Sequence, residues 1–121
     1  MFALVKPILS SVDLAICHLE TPIAPAGEEL STFPFFGVPV EITDALAYAG
    51  FDRCSTASNH AMDRGARGID ATLNALDRVG ISHTGMARTP PEINPKSILV
   101  NGISITHMSY TFSYNGLPAA N

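Results

Sequence analysis

The chain has 121 residues, 46% of them hydrophobic and only 15% charged, which excludes a disordered tail, a collagen-like repeat and a charged arm. Seven Lys and Arg against eleven Asp and Glu give a formal net charge of -4, the wrong sign for a phosphate-backbone binder, so no nucleic acid partner is expected. A folded chain of this length hides roughly two-thirds of its unfolded surface and needs neither disulfide nor structural metal as a staple.

Residues 2–5 form an apolar run broken by Lys6 and Pro7, with no adequate core for a signal peptide, and residues 2–11 admit a short helix at most. No stretch approaches the roughly 18 uninterrupted apolar residues of a membrane span, so a soluble chain is expected. Residues 13–19 are mostly apolar and stop at Glu20-Thr21-Pro22, which predicts a buried strand. A loop dense in Pro and Gly follows, and its Phe33, Phe35 and Phe36 are expected to fold it back onto the domain. Residues 42–49 form a helix candidate, with Thr43 as a possible N-cap and Gly50 as a left-handed stop.

Residues 51–58 read as a second buried strand running into a polar turn, Ser58-Asn59-His60-Ala61-Met62-Asp63-Arg64-Gly65. From 66 to 79, Ile69, Leu73, Leu76 and Val79 recur at spacings of four, three and three, opposite Arg67, Asp70, Asn74 and Asp77: an amphipathic helix stopped by Gly80. Residues 81–84 give a third strand, then a loop holds Pro90, Pro91 and Pro95. Residues 96–100 and 103–110 flank Asn101-Gly102, a two-residue turn that favours positive φ and hence a β-hairpin. The order strand, helix, strand, helix, strand, hairpin predicts an α/β fold with a parallel sheet, whose ligands gather at the carboxyl ends of the strands.

Glu20 and the Asn59-His60 pair both fall at that end. Glu20 closes its strand as either a structural carboxylate or a metal ligand. Asn59 offers an amide oxygen as a hard metal donor and His60 an imidazole that binds metal or moves a proton near neutral pH. The structural alternative is Asn59 in the left-handed conformation of a tight turn with His60 on a backbone carbonyl, and spacing alone leaves both readings open. Asp63 reads as a helix N-cap and Gly65 as relief of turn strain. Cys17 and Cys54, outside any C-x-x-C or Cys/His ligand spacing, read as free core hydrophobes. His18, His83 and His107 stand isolated in β segments, and Asp70, Asn74 and Asp77 form a solvated helix face. The phosphate-cradling, dinucleotide-binding and G-x-S-x-G motifs are absent.

The stretch from Asp13-Leu14-Ala15-Ile16-Cys17-His18-Leu19-Glu20-Thr21-Pro22 through Ala49-Gly50-Phe51-Asp52 to Ala57-Ser58-Asn59-His60-Ala61-Met62-Asp63-Arg64-Gly65 resembles the CapA-like proteins. These are poly-γ-glutamate capsule biosynthesis proteins related in fold to the calcineurin-like metallophosphoesterases. Gly68-Ile69, Thr72-Leu73, Leu76, Gly80-Ile81, His83-Thr84-Gly85 and Ser109-Tyr110-Thr111 follow in the family's order, so the resemblance covers nearly the whole chain. It implies that Glu20 is the acidic metal ligand of an Asn-Leu-Glu motif, that Asn59 is a second metal ligand, and that His60 stabilises or protonates a reacting phosphate ester. His18 stands where the family has Asn, and Ser58 where a second Asn often precedes Asn-His, so the hydrogen bonds behind the ligands are expected to differ.

The resemblance further implies a divalent metal (Mn, Fe, Zn or Mg) and, as partners, poly-γ-glutamate or a phosphorylated small molecule or polymer, with other capsule-synthesis proteins. It implies cell-envelope association of the complete protein; the chain's own residues otherwise suggest the cytoplasm. The family also carries an upstream strand ending in Gly-Asp and a downstream His-rich motif, neither of which lies within residues 1–121. The chain is therefore expected to be a single partial domain whose weakly held metal supports no hydrolysis alone, and whose unfilled sheet position beside residues 13–19 or 53–58 promotes self-association. A non-catalytic polymer-binding or assembly module of the same fold is the alternative.

Overall fold

The computed structural model describes residues 2–117. Its centre is a parallel sheet of three short strands, β1 (Ile16–His18), β2 (Arg53–Ser55) and β3 (Ser82–Thr84), in the order β1-β2-β3. The register sets Ile16, Cys17 and His18 against Arg53, Cys54 and Ser55, and these in turn against Ser82, His83 and Thr84. The expected α/β alternation is thus present. A short helix α1 (Lys6–Leu9) precedes β1, α2 (Glu41–Ala49) connects β1 to β2, and α3 (Gly65–Arg78) connects β2 to β3. Right-handed crossovers of this kind put both helices on one face of the sheet, and the core forms there.

Cys54 is fully buried among Leu46 of α2, Leu73 and Leu76 of α3, and Ile81, with Leu19, Ala61, Ile69 and Met86 closing the cluster. The apolar stripe of α3 behaves as its periodicity requires: Ile69, Leu73 and Leu76 are buried, Val79 is half-buried against them, and Arg67, Asp70 and Asn74 are exposed. The loop of three prolines contains a single 3-10 turn, Pro90–Ile93, and the hairpin pairs β4 (Ile98–Val100) with β5 (Ile103–Ile105). Asn101 and Gly102 take φ of 48° and 82°, the two positive values that a twisted two-residue turn needs.

Several local expectations are corrected. Cys17 and Cys54 are not free: they are register partners on adjacent strands, with Cα atoms 4.5 Å apart, and their sulfurs form a disulfide. Thr43 lies inside α2 rather than at its N-cap, its hydroxyl turned back to the Val40 carbonyl at 2.9 Å. Asp63 does not cap α3 either, because its carboxylate is engaged elsewhere. Of the loop aromatics, only Phe36 packs inward, whereas Phe33 and Phe35 remain exposed. The helix face carrying Asn74 and Asp77 is not merely solvated, since both residues receive Arg88. Arg53–Ser55 are paired on both sides, so among the described residues the edges of this sheet are β1 and β3. No helix among them is long and apolar enough to cross a membrane.

Leu73 has no exposed surface, and the helix–sheet layer around it leaves little freedom to collapse. Leu73→Ala is expected to cost about 2–5 kcal/mol, through lost transfer energy and the cavity left behind, read as a lower denaturant midpoint at unchanged slope.

Candidate functional site

The sheet delivers two chain segments to one edge. Beyond β1, the Leu19 amide continues the ladder by donating to the Ser55 carbonyl at 2.9 Å, and Glu20 follows immediately. Pro22 and Ile23 are buried, and the Ile23 amide donates to the Thr72 hydroxyl on α3 at 2.9 Å, so the chain leaving Glu20 is pinned to the helix. Beyond β2, buried Thr56 is fixed to the Thr84 carbonyl of β3 by both its amide (2.9 Å) and its hydroxyl (3.0 Å). The turn holding Asn59 and His60 begins two residues later.

Ser58 joins the segments. Its hydroxyl donates to the carbonyl of Glu20 and accepts from the amide of His60 at 3.0 Å, so one oxygen ties the end of β1 to the turn after β2. Glu20 and Asn59-His60 therefore lie at the carboxyl ends of adjacent parallel strands, where the strand order predicts them. The contact runs through the backbone of Glu20. Its carboxylate is exposed and neither accepts a hydrogen bond nor forms an ion pair among the described residues.

His60 is held from several sides. Its Nδ1 lies 2.8 Å from Asp63 Oδ2, the same oxygen that accepts the Phe36 amide at 2.7 Å, and the Asp63 side chain has no exposed surface. The Phe36 ring meets the imidazole edge-on, with centroids 4.7 Å apart. A carboxylate can only accept, so in the neutral ring Nδ1 carries the proton and Nε2 keeps its lone pair. Asn59 does not adopt a positive φ, and His60 meets a carboxylate rather than a carbonyl, so neither part of the purely structural reading of this turn is found.

Asn115 reaches this turn from 55 residues away. Its Oδ1 accepts from Asn59 Nδ2 at 3.2 Å, and its Nδ2 comes within 3.4 Å of His60 Nδ1. Asn59 donates its amide nitrogen to Asn115, and its amide oxygen has no internal donor among the described residues. Arg64 braces the opposite side: its guanidinium donates to the Phe36 and Glu29 carbonyls and to the Ser31 hydroxyl, and pairs with Glu28 at 3.2 Å. The loop bearing Phe36 is thereby locked against the turn. Sequence reasoning missed the roles of Phe36, Arg64 and Asn115; the Asn115-Gly116 dipeptide, with φ of 53° and 80°, was the one local signal of a tight turn there.

Of the other histidines, His18 meets the Ser55 hydroxyl at 2.8 Å and His83 meets Asp77 at 3.0 Å. Among the described residues, no group of three or more His, Cys, Asp and Glu side chains is arranged to hold a metal ion. The edge offers instead a mixed set: the Glu20 carboxylate, the Asn59 amide oxygen and His60 Nε2.

The family described as Bacterial capsule synthesis protein PGA_cap matches the chain over residues 1–121. The chain belongs to this family. It is therefore a member of a capsule-synthesis group, and its α/β fold is of the metallophosphoesterase-like kind. A search of curated proteins returns no significant match.

Asp63 carries two hydrogen bonds on one buried oxygen, and its loss strands both donors. Asp63→Ala is expected to destabilise the fold by about 2–4 kcal/mol and to open the Phe36 amide to hydrogen exchange. A Phe36 amide that stays protected in this variant would contradict the assignment.

Proposed function

We propose that the edge formed by Glu20, Asn59 and His60 is part of a metal-dependent phosphoesterase-like site that serves capsule biosynthesis, with poly-γ-glutamate or a phosphorylated precursor as the material handled. One observation carries this reading: at adjacent strand ends, a carboxylate, an amide oxygen and an imidazole nitrogen are all left unclaimed, while the atoms behind them are hydrogen-bonded into the fold.

The donor chemistry fits a divalent ion such as Mn, Fe, Zn or Mg, since Glu20 and Asn59 supply hard oxygens and His60 is left free to move a proton. Such an ion, when bound, supplies Lewis-acid charge to a phosphoryl oxygen. Asn115 keeps the Asn59 amide from rotating, so its oxygen is available without reorganisation. Asp63 holds the His60 ring and stabilises the imidazolium that forms when Nε2 takes up a proton; His60 can then return that proton to a leaving alkoxide. Phe36 covers one side of the ring and limits water there.

A second reading is favoured by the modest donor set and the exposure of Glu20: a polymer-binding or assembly module that uses the same edge without turnover.

Calorimetric titration with Mn2+ separates the two. Under the metal-site reading, Asn59→Ala removes a direct donor and weakens Mn2+ affinity by more than the ~10–100-fold that loss of an outer partner costs, and Glu20→Gln does the same. In the natural protein, His60→Asn then abolishes hydrolysis of a generic phosphodiester while Mn2+ still binds. Mn2+ affinity unchanged by both ligand substitutions would overturn the metal site, and retained binding of poly-γ-glutamate alongside it would favour the assembly module.

A further inference from the structure

Arg53 opens β2 at the end of the sheet opposite the Glu20 and His60 edge. Successive strand residues alternate faces, so with Cys54 in the helix-side core, Arg53 points to the other face. Only 5% of its surface is exposed. A guanidinium remains charged in any protein environment, and removing it from water without a counter-charge is strongly unfavourable. Yet among the described residues no carboxylate pairs with Arg53, and its Nε is buried with no hydrogen-bond partner. His107 Nδ1 is a second buried nitrogen without a partner. Burial first, and the nearby Arg53 charge second, hold the His107 imidazole below its ordinary pKa.

Arg53 lines a cleft of about 430 Å3 together with Ser82, His83 and Lys96. Two carboxylates also border it, but both are committed to Arg88. Asp77 Oδ2 meets Arg88 Nη1 at 2.8 Å, and Glu92 Oε1 meets Arg88 Nη2 at 2.9 Å. The second oxygen of Asp77 faces His83 at 3.0 Å. Lys96, like Arg53, has no carboxylate partner among the described residues. Two unneutralised cations thus border one cleft, one a planar fork suited to bidentate oxyanion contacts and the other a mobile point charge.

We propose that this cleft binds an oxyanion, a carboxylate or a phosphate group, held by Arg53 from below and by Lys96 at the rim. The site is separate from the His60 edge and does not depend on the function proposed for it. Bound anion supplies the charge Arg53 lacks, which couples occupancy of the cleft to the stability of the central strand.

The test is a titration of the 121-residue chain with inorganic phosphate and, separately, with glutarate, each at ionic strength matched with sodium chloride. Thermal midpoint and the Arg53 Nε–H resonance are followed together. At least one anion is expected to give a saturable rise in midpoint and a saturable shift of that resonance, with His107 titrating at higher pH when the cleft is filled. Response to phosphate alone assigns a phosphate ligand, response to glutarate alone a carboxylate, and response to both a general oxyanion site. Arg53→Met, which replaces the buried charge with an apolar chain of similar length, is expected to abolish the response. Lys96→Gln, at an exposed position that leaves folding intact, is expected to weaken it several-fold. The proposal is overturned if neither anion moves the Arg53 resonance at millimolar concentration, or if both variants respond as the wild type does.

Discussion

The Asp63 carboxylate is the constraint on which the candidate site depends. One of its oxygens accepts both the Phe36 amide and His60 Nδ1, so a single buried group binds the turn after β2 to a loop 27 residues upstream. The other oxygen is buried with no partner among the described residues, so the full cost of burying this charge rests on two donors. That imbalance makes the pair of contacts sensitive: losing either one leaves the carboxylate with half its support. Arg64, the next residue, grips the same loop through Glu28, Glu29, Ser31 and Phe36. Two consecutive residues of opposite charge thus fasten one loop from both ends, and His60 acquires a fixed orientation as a consequence.

The sheet supplies the other half of the geometry. Parallel strands deliver their carboxyl ends to one edge, so the chain after β1 and the chain after β2 emerge side by side. Strands of three residues are short, however, and the positions of Glu20 and His60 rest on contacts beyond the ladder. Ser58 is the residue that supplies them, bridging the Glu20 carbonyl and the His60 amide through one hydroxyl. An Asn there would present a longer, planar group with a separate donor and acceptor. The serine joins the two segments through a single atom.

What was legible in the sequence follows the range of the physics involved. The α3 stripe depends on a 3.6-residue period, and the hairpin on the positive φ that Asn101-Gly102 accept, and both are local properties. The parallel order followed from alternation of elements, which carried Glu20 and Asn59-His60 correctly to one edge. Register is not local: nothing near Cys17 or Cys54 indicates that 37 residues later they stand directly opposed, so their disulfide went unread. Asp63 was misread for a related reason. An Asp just before a helix is a common cap, but here a backbone amide from the Phe36 loop and the His60 ring compete successfully for its oxygen. Phe36 was indistinguishable by composition from Phe33 and Phe35; what sets it apart is long-range, its amide held by Asp63 and its carbonyl by Arg64.

These contacts converge on a claim about one proton. If Asp63 is the partner that fixes His60, the neutral imidazole carries its hydrogen on Nδ1 and presents an unprotonated Nε2 to the edge where Glu20 and Asn59 lie. The tautomer is directly readable from the 15N shifts of the two ring nitrogens and their couplings to the ring protons, in the chain selectively labelled at histidine. The account predicts a protonated Nδ1 and a pyridine-like Nε2 for the neutral His60 ring. A neutral ring protonated at Nε2, with Nδ1 instead accepting from the Asn115 amide 3.4 Å away, would contradict it.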